Sequence, residues 1–177
     1  MKLGAKDLRT VDESEITTKL KSFKRNPIYF ILENVYDTYN VGGLFRLADA
    51  LAIEKIFLCG EMETPPNSRI KKASVGTYKI VPWEYRRSSG EAMEELRNSK
   101  IQFVAVEQHK KAVDYRKASY SFPLALIFGN ETTGVSERTL ALCDQIVEIP
   151  MWGINKSLNV IVSAAIVGYW AVKSLLI

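Results

Sequence analysis

The chain has 177 residues, 47% of them hydrophobic, and a formal net charge of +4, which allows one domain with a sizeable core and excludes a second large one. The positive balance favours an anionic partner without identifying it. Two cysteines that lack C-x-x-C spacing exclude a disulfide framework and a zinc ribbon; they read as reduced core thiols in a reducing compartment.

Residues 1–26 read as a basic arm ahead of a domain spanning 27–177. Seven Lys and Arg residues there oppose four acidic ones, so most of the net charge lies in the arm. Met1 is followed by mixed charges with no apolar run, so no secretory leader is expected. The first strand candidate, Ile28–Leu32, leads into a polar signature, Asn34 to Arg46 (NVYDTYNVGGLFR). Asn40 is placed to cap a helix over Val41–Ala52, which would put Arg46 about one and a half turns in, facing a crevice beyond the strand ends. A charge among Leu44, Phe45, Leu47 and Ala48 calls for a partner or a ligand.

Strand candidates continue at Lys55–Cys59, Lys79–Val81 and Gln102–Val106, with a helix at Gly90–Ser99 between the last two. His109, the only histidine, follows Gln102–Val106 with no Ser, Cys or Asp at a motif spacing and reads as a solvent-facing loop residue. Arg69-Ile70-Lys71-Lys72, Arg86-Arg87, Lys110-Lys111 and Arg116-Lys117 are candidate phosphate contacts. Strand Leu124–Phe128 leads into the second signature, Phe128 to Ser136 (FGNETTGVS), and a helix over Ser136–Cys143 capped by Ser136. Gly129 to Gly134 has the G-x-x-x-x-G spacing, but no Lys follows it, so a phosphate loop is excluded; G-x-G-x-x-G is absent as well. Glycine at 129 would let a ligand approach the backbone.

Strand Gln145–Ile149 leads into the third signature, Ile149 to Val160 (IPMWGINKSLNV), and a helix over Ser157–Leu176 for which Ser157 is the expected cap. Asn159 then enters an otherwise apolar helix without a structural reason. That helix is apolar on every face, which points to a partner chain, and its apolar stretch is shorter than the ~20 residues that span a bilayer. Six strand candidates alternating with helices predict an α/β fold with a mainly parallel six-stranded sheet flanked by helices. Polar signatures at strand ends place the site outside the carboxyl edge of the sheet.

In order and wording the three signatures resemble the SpoU-type ribose 2′-O-methyltransferases of RNA, the branch of the SPOUT superfamily with the TrmH-like tRNA enzymes. The resemblance covers about residues 28–170, and I-P-M followed by S-L-N-V is its most specific part. It implies a C-terminal trefoil knot, a homodimer through the last helix, S-adenosylmethionine as cofactor, no metal, and a cytoplasmic enzyme acting on tRNA ahead of rRNA. It implies Arg46 as the catalytic residue supported by Asn40, with Glu131, Ser157 and Asn159 in the active site. The cofactor would be held by Val106 and Glu107 at a strand end, by Gly129, and by Ile149, Met151, Ser157 and Leu158. The alternatives are a base-methylating relative, which the Asn40/Arg46 pair fits poorly, and a non-catalytic RNA-binding or assembly factor. Such a factor would keep the basic groups without needing Arg46, Glu131, Ser157 and Asn159 together. The added N-terminal domain and basic C-terminal extension of some relatives are not expected here.

Overall fold

The computed structural model describes residues 4, 7, 8, 20 and 23–175, so the basic arm and the expected helix end at Leu176 lie largely outside the described residues. The chain runs β1 (Asn26–Glu33), α1 (Thr38–Ala50), β2 (Ile53–Cys59), α2 (Ser68–Ser74), a 3-10 turn (Thr77–Lys79), β3 (Trp83–Arg86) and α3 (Ser89–Arg97). It continues through β4 (Gln102–Val106), β5 (Val113–Asp114), β6 (Leu124–Phe128), α4 (Glu137–Leu140), β7 (Gln145–Glu148) and α5 (Val160–Leu175). The strands form one sheet in the order β3-β2-β1-β6-β4-β7-β5, and every pairing is parallel.

The central strands are apolar almost throughout because helices cover both faces, and the pleat divides their side chains between two cores. Phe30, Leu32, Ile56, Leu58, Leu126 and Phe128 pack with Leu44 and Phe45 of α1 and Val167 of α5. Ile31, Phe57, Ala105 and Ile127 pack on the other side with Met93 and Leu96 of α3 and Leu140 of α4. Phe30 and Phe128, on neighbouring strands, meet edge to face with ring centroids 5.2 Å apart, a favoured aromatic geometry.

The sheet has seven strands, where six were expected. Lys79–Val81 is not one of them: Gly76, at φ 92, leads into the 3-10 turn that takes Lys79. The real strand there is β3, whose charged residues hide it from an apolar pattern. As an edge strand β3 tolerates them; Glu84 pairs with Lys55 at 2.6 Å and with Arg86, which also pairs with Glu95. β5 has two residues, too few to show any period.

Two helix starts also differ from expectation. The Asp37 carboxylate accepts the Tyr39 N–H at 2.7 Å and caps α1, so the helix opens three residues before Val41 and Asn40 lies inside its first turn. α5 opens at Val160, after the expected cap at Ser157. The Asn159 side chain accepts the Ile161 N–H at 2.8 Å, so Asn159 precedes the apolar helix as its cap. One stripe of α5, Ala164, Val167, Gly168 and Ala171, is buried. A Cβ on Gly168 would meet Leu51 Cδ1 at 2.7 Å, so a larger residue there would push the Leu51 side chain aside where α5 approaches the end of α1. Val162 and Tyr169 remain exposed. Among the described residues no helix is long and apolar enough to cross a membrane.

Candidate active site

Because all seven strands run the same way, their carboxyl ends share one edge, and the loops that follow β1, β4, β6 and β7 meet there. The last three border a cleft of about 440 Å³ lined by Val106, Glu107 and Gln108 at the end of β4, Gly129 to Gly134 after β6, and Ile149, Met151 and Asn155 to Val160 after β7, except Lys156. All seven residues expected to hold a cofactor line it: Val106, Glu107, Gly129, Ile149, Met151, Ser157 and Leu158. So do Glu131 and Asn159.

The second signature is folded back on itself. Asn130 and Gly134 exchange backbone hydrogen bonds of 3.1 and 2.9 Å, while the Asn130 side-chain oxygen accepts the N–H groups of Thr132 and Thr133. A Cβ on Gly129 would lie 2.1 Å from the Gly134 carbonyl carbon. Glycine at 129 is therefore required by close approach of the loop's own backbone. Gly134, at φ 69, brings the chain against Glu107, whose carboxylate accepts the N–H groups of Val135 and Gln108, each at 2.9 Å. Glu107 is thus a part of the cleft wall that also holds the loop after β6 in place.

One polar residue from each signature, Asn40, Glu131 and Asn159, joins a chain of hydrogen bonds. The Asn159 Nδ2 donates to Asn40 Oδ1 at 3.0 Å, and Asn40 Nδ2 donates to Glu131 Oε1 at 2.9 Å. Glu131 also accepts the N–H groups of Tyr36 and Asp37, each at 3.2 Å. Asn40 is buried, so donors and acceptors that cannot turn to water hold it in one orientation. Ser157 lines the cleft but its N–H is spent on Asn155 Oδ1.

Arg46 departs from expectation. It is exposed, sits on the solvent stripe of α1 with Tyr39 and Ala50, and is not among the cleft-lining residues. Its apolar sequence neighbours face the core from the other side of the helix, so the guanidinium needs no protein partner to be accommodated. Several anchors were not singled out from sequence. The Glu33 carboxylate, buried, accepts the Ser136 hydroxyl at 2.7 Å. The Asn130 amide donates to the Asn34 carbonyl at 2.9 Å, and the Gln108 amide donates to the Lys156 carbonyl across the cleft. Each joins residues at least 48 positions apart, a relation no local spacing signals.

His109 is half-buried in its loop instead of facing solvent freely, with Nδ1 accepting the Lys111 N–H at 3.2 Å. Of the basic groups, Arg86 and Arg116 are occupied by Glu84, Glu95 and Asp114. Arg69, Lys71, Lys72, Arg87, Lys110, Lys111 and Lys117 are exposed. Both cysteines are free thiols, and burial pushes each up to about 12, so neither serves as a nucleophile at neutral pH. The described residues contain no group of side chains arranged to hold a metal.

Residues 27–169 match the model of the SpoU rRNA Methylase family. The tRNA (guanosine(18)-2′-O)-methyltransferase of Escherichia coli (strain K12) is 33% identical over 143 residues, covering 79% of this chain and 60% of that protein. A 23S rRNA (guanosine-2′-O-)-methyltransferase of Vibrio parahaemolyticus is 30% identical, covering 96% and 66%. The crystal structure of the SpoU methyltransferase AviRb from Streptomyces viridochromogenes, in complex with the cofactor AdoMet, superposes with a TM-score of 0.79 at 26% identity, covering 87% of this chain and 60% of that one. The chain therefore spans about two thirds or less of the length of each of these proteins.

Proposed function

The chain belongs to the SpoU rRNA Methylase family, and from that premise we propose that it transfers a methyl group from S-adenosylmethionine to a ribose 2′-hydroxyl of structured RNA, tRNA ahead of rRNA. The observation that carries this reading is the meeting, at one sheet edge, of a cleft of ligand size with the Asn159–Asn40–Glu131 chain. A volume of about 440 Å³ lies within the range of small-molecule sites. Ile149, Met151 and Leu158 offer apolar surface for a purine, and Gln108, Ser157 and the loop backbone offer polar groups for an amino-acid tail, so the residues present fit the cofactor.

When bound, S-adenosylmethionine supplies an electrophilic methyl group. The chain's own work is to orient the ribose, exclude water and offset charge on the oxygen as its proton leaves. Asn40, Glu131, Ser157 and Asn159 fill the orienting role. Arg46 supplies the positive charge; a guanidinium keeps its proton in proteins, so it acts on the developing alkoxide or an adjoining phosphate and not as a free base. rRNA is the second reading, favoured by the similarity to the Vibrio protein. Calorimetry with S-adenosylmethionine and its demethylated product tests cofactor binding. Native-state binding should raise stability by about 2.7 kcal/mol at a hundredfold excess over Kd, and no binding of either ligand would remove the catalytic reading.

The same premise supports the finer structure of the proposal: a methyltransferase domain over 27–177 carrying a C-terminal trefoil knot, a basic arm over 1–26 available to RNA, and a cytoplasmic location. A homodimer forms through α5, whose Val162 and Tyr169 leave an apolar face uncovered. Sedimentation should show a dimer at micromolar concentration; a folded monomer there would contradict this.

A further inference from the structure

We propose that Tyr36 and Tyr39 form an aromatic platform that receives an unstacked nucleobase of the RNA beside the cleft, an inference that rests on the RNA methyl transfer proposed above. Isolated exposed tyrosines are ordinary on a protein surface; these two differ in how they are held. Tyr36 is 56% exposed and Tyr39 53%, yet the backbone beneath them is fixed. The N–H of Tyr36 donates to Glu131 and that of Tyr39 to the helix cap Asp37. Glu131 is itself a wall of the cleft and also accepts the N–H of Asp37, so the backbone of Tyr36 is one hydrogen bond from the candidate site and that of Tyr39 is tied to it through Asp37.

Among the described residues, neither ring makes an aromatic contact and neither hydroxyl makes a hydrogen bond. Rigid backbone under unengaged rings suits a surface that waits for a flat partner. Bringing a ribose of structured RNA into a cleft requires pulling the nucleotide from its stack, which costs a few kcal/mol; stacking on aromatic side chains offsets it without regard to base identity. Arg46 follows Tyr39 by seven residues, two turns along the same exposed face of α1, where it complements the phosphate that accompanies such a base. Tyr36 and Tyr39 are thus positioning residues for the acceptor nucleotide.

Single-turnover methylation of tRNA transcribed in vitro, at saturating S-adenosylmethionine and with the RNA titrated, tests the platform. Tyr36→Ala and Tyr39→Ala should each weaken half-saturation by RNA, or slow the reaction, by roughly five- to a hundredfold. Tyr36→Phe and Tyr39→Phe should stay within about twofold of the parent protein, because stacking needs the ring and not the hydroxyl. Cofactor affinity by calorimetry and the melting temperature should be unchanged in all four. Alanine variants that match an active parent overturn the platform alone, and so do phenylalanine variants as impaired as the alanine ones. A parent protein that binds the cofactor but methylates no RNA overturns the proposed function, and the platform with it.

Discussion

Replacing Arg46 by alanine should lower the rate of ribose methylation by about 10²–10⁴-fold, the range of a lost acid–base or charge-stabilising group, while cofactor affinity and stability stay close to those of the parent protein. The expected loss of rate rests on the match of Arg46 to the family's catalytic arginine, and the unchanged affinity and stability on its place, exposed on α1 and outside the cleft lining. Exposed substitutions away from caps and networks change stability by about 0.5 kcal/mol or less, so a large loss of rate would have to come from the reaction. Lysine keeps the charge but lacks the planar fork that engages a phosphate and a hydroxyl together, so Arg46→Lys should recover only part of the rate. The measurement is single-turnover methylation at saturating cofactor, with calorimetry on the same variants. Near-parental rates in Arg46→Ala would remove Arg46 from the catalytic centre.

Glu131→Gln should lower the same rate by about 10–10²-fold, the scale on which misplacement by about 1 Å acts, although the substitution preserves shape. Glu131 accepts from three donors: the N–H groups of Tyr36 and Asp37 and the amide of Asn40. A glutamine has one acceptor oxygen and turns an N–H donor toward the remaining partners, so at least one donor loses its acceptor. Asn40 and Asp37 share Oε1, so an amide nitrogen placed there frees Asn40 and Asn159 loses its fixed acceptor in turn, whereas one placed at Oε2 faces only the Tyr36 N–H. The loss should appear in methylation before it appears in cofactor affinity, because Glu131 and Asn40 are not among the residues expected to hold the cofactor. Unchanged single-turnover rates in Glu131→Gln would mean that the chain of amides has no part in orienting the acceptor.

The interior of this fold was largely legible in the sequence because β1, β2, β4 and β6 are largely buried, and burial on both faces leaves near-continuous apolar runs. β3 and β5 were not, since one carries paired charges at the sheet edge and the other has only two residues. Ser136 was readable as a cap because a hydroxyl precedes the helix it serves, as the bond from the Thr139 N–H shows. Asp37 and Asn159 cap helices as well, but the neighbouring Asn40 and Ser157 are equally good capping types, and sequence alone cannot rank them.

For the candidate site, the strand-end rule and the resemblance together identified every residue expected to hold a cofactor as a cleft-lining one, because a parallel sheet brings all such ends to one edge. The roles inside that edge were less legible. Glu107 and Gly129 shape the loop after β6 through contacts across 28 and 5 positions of sequence respectively. The exposure of Arg46 depends on which face of α1 meets the sheet, a tertiary relation that spacing from Asn40 does not fix.

The central claim is tested most directly by incubating the protein with S-adenosylmethionine labelled in its methyl group and with unmodified tRNA or rRNA, digesting the RNA to nucleosides, and locating the label by mass spectrometry. Label on a ribose 2′-oxygen is the predicted result, with tRNA the better acceptor. Label confined to a base, or none in either RNA under conditions where calorimetry shows the cofactor bound, would contradict it.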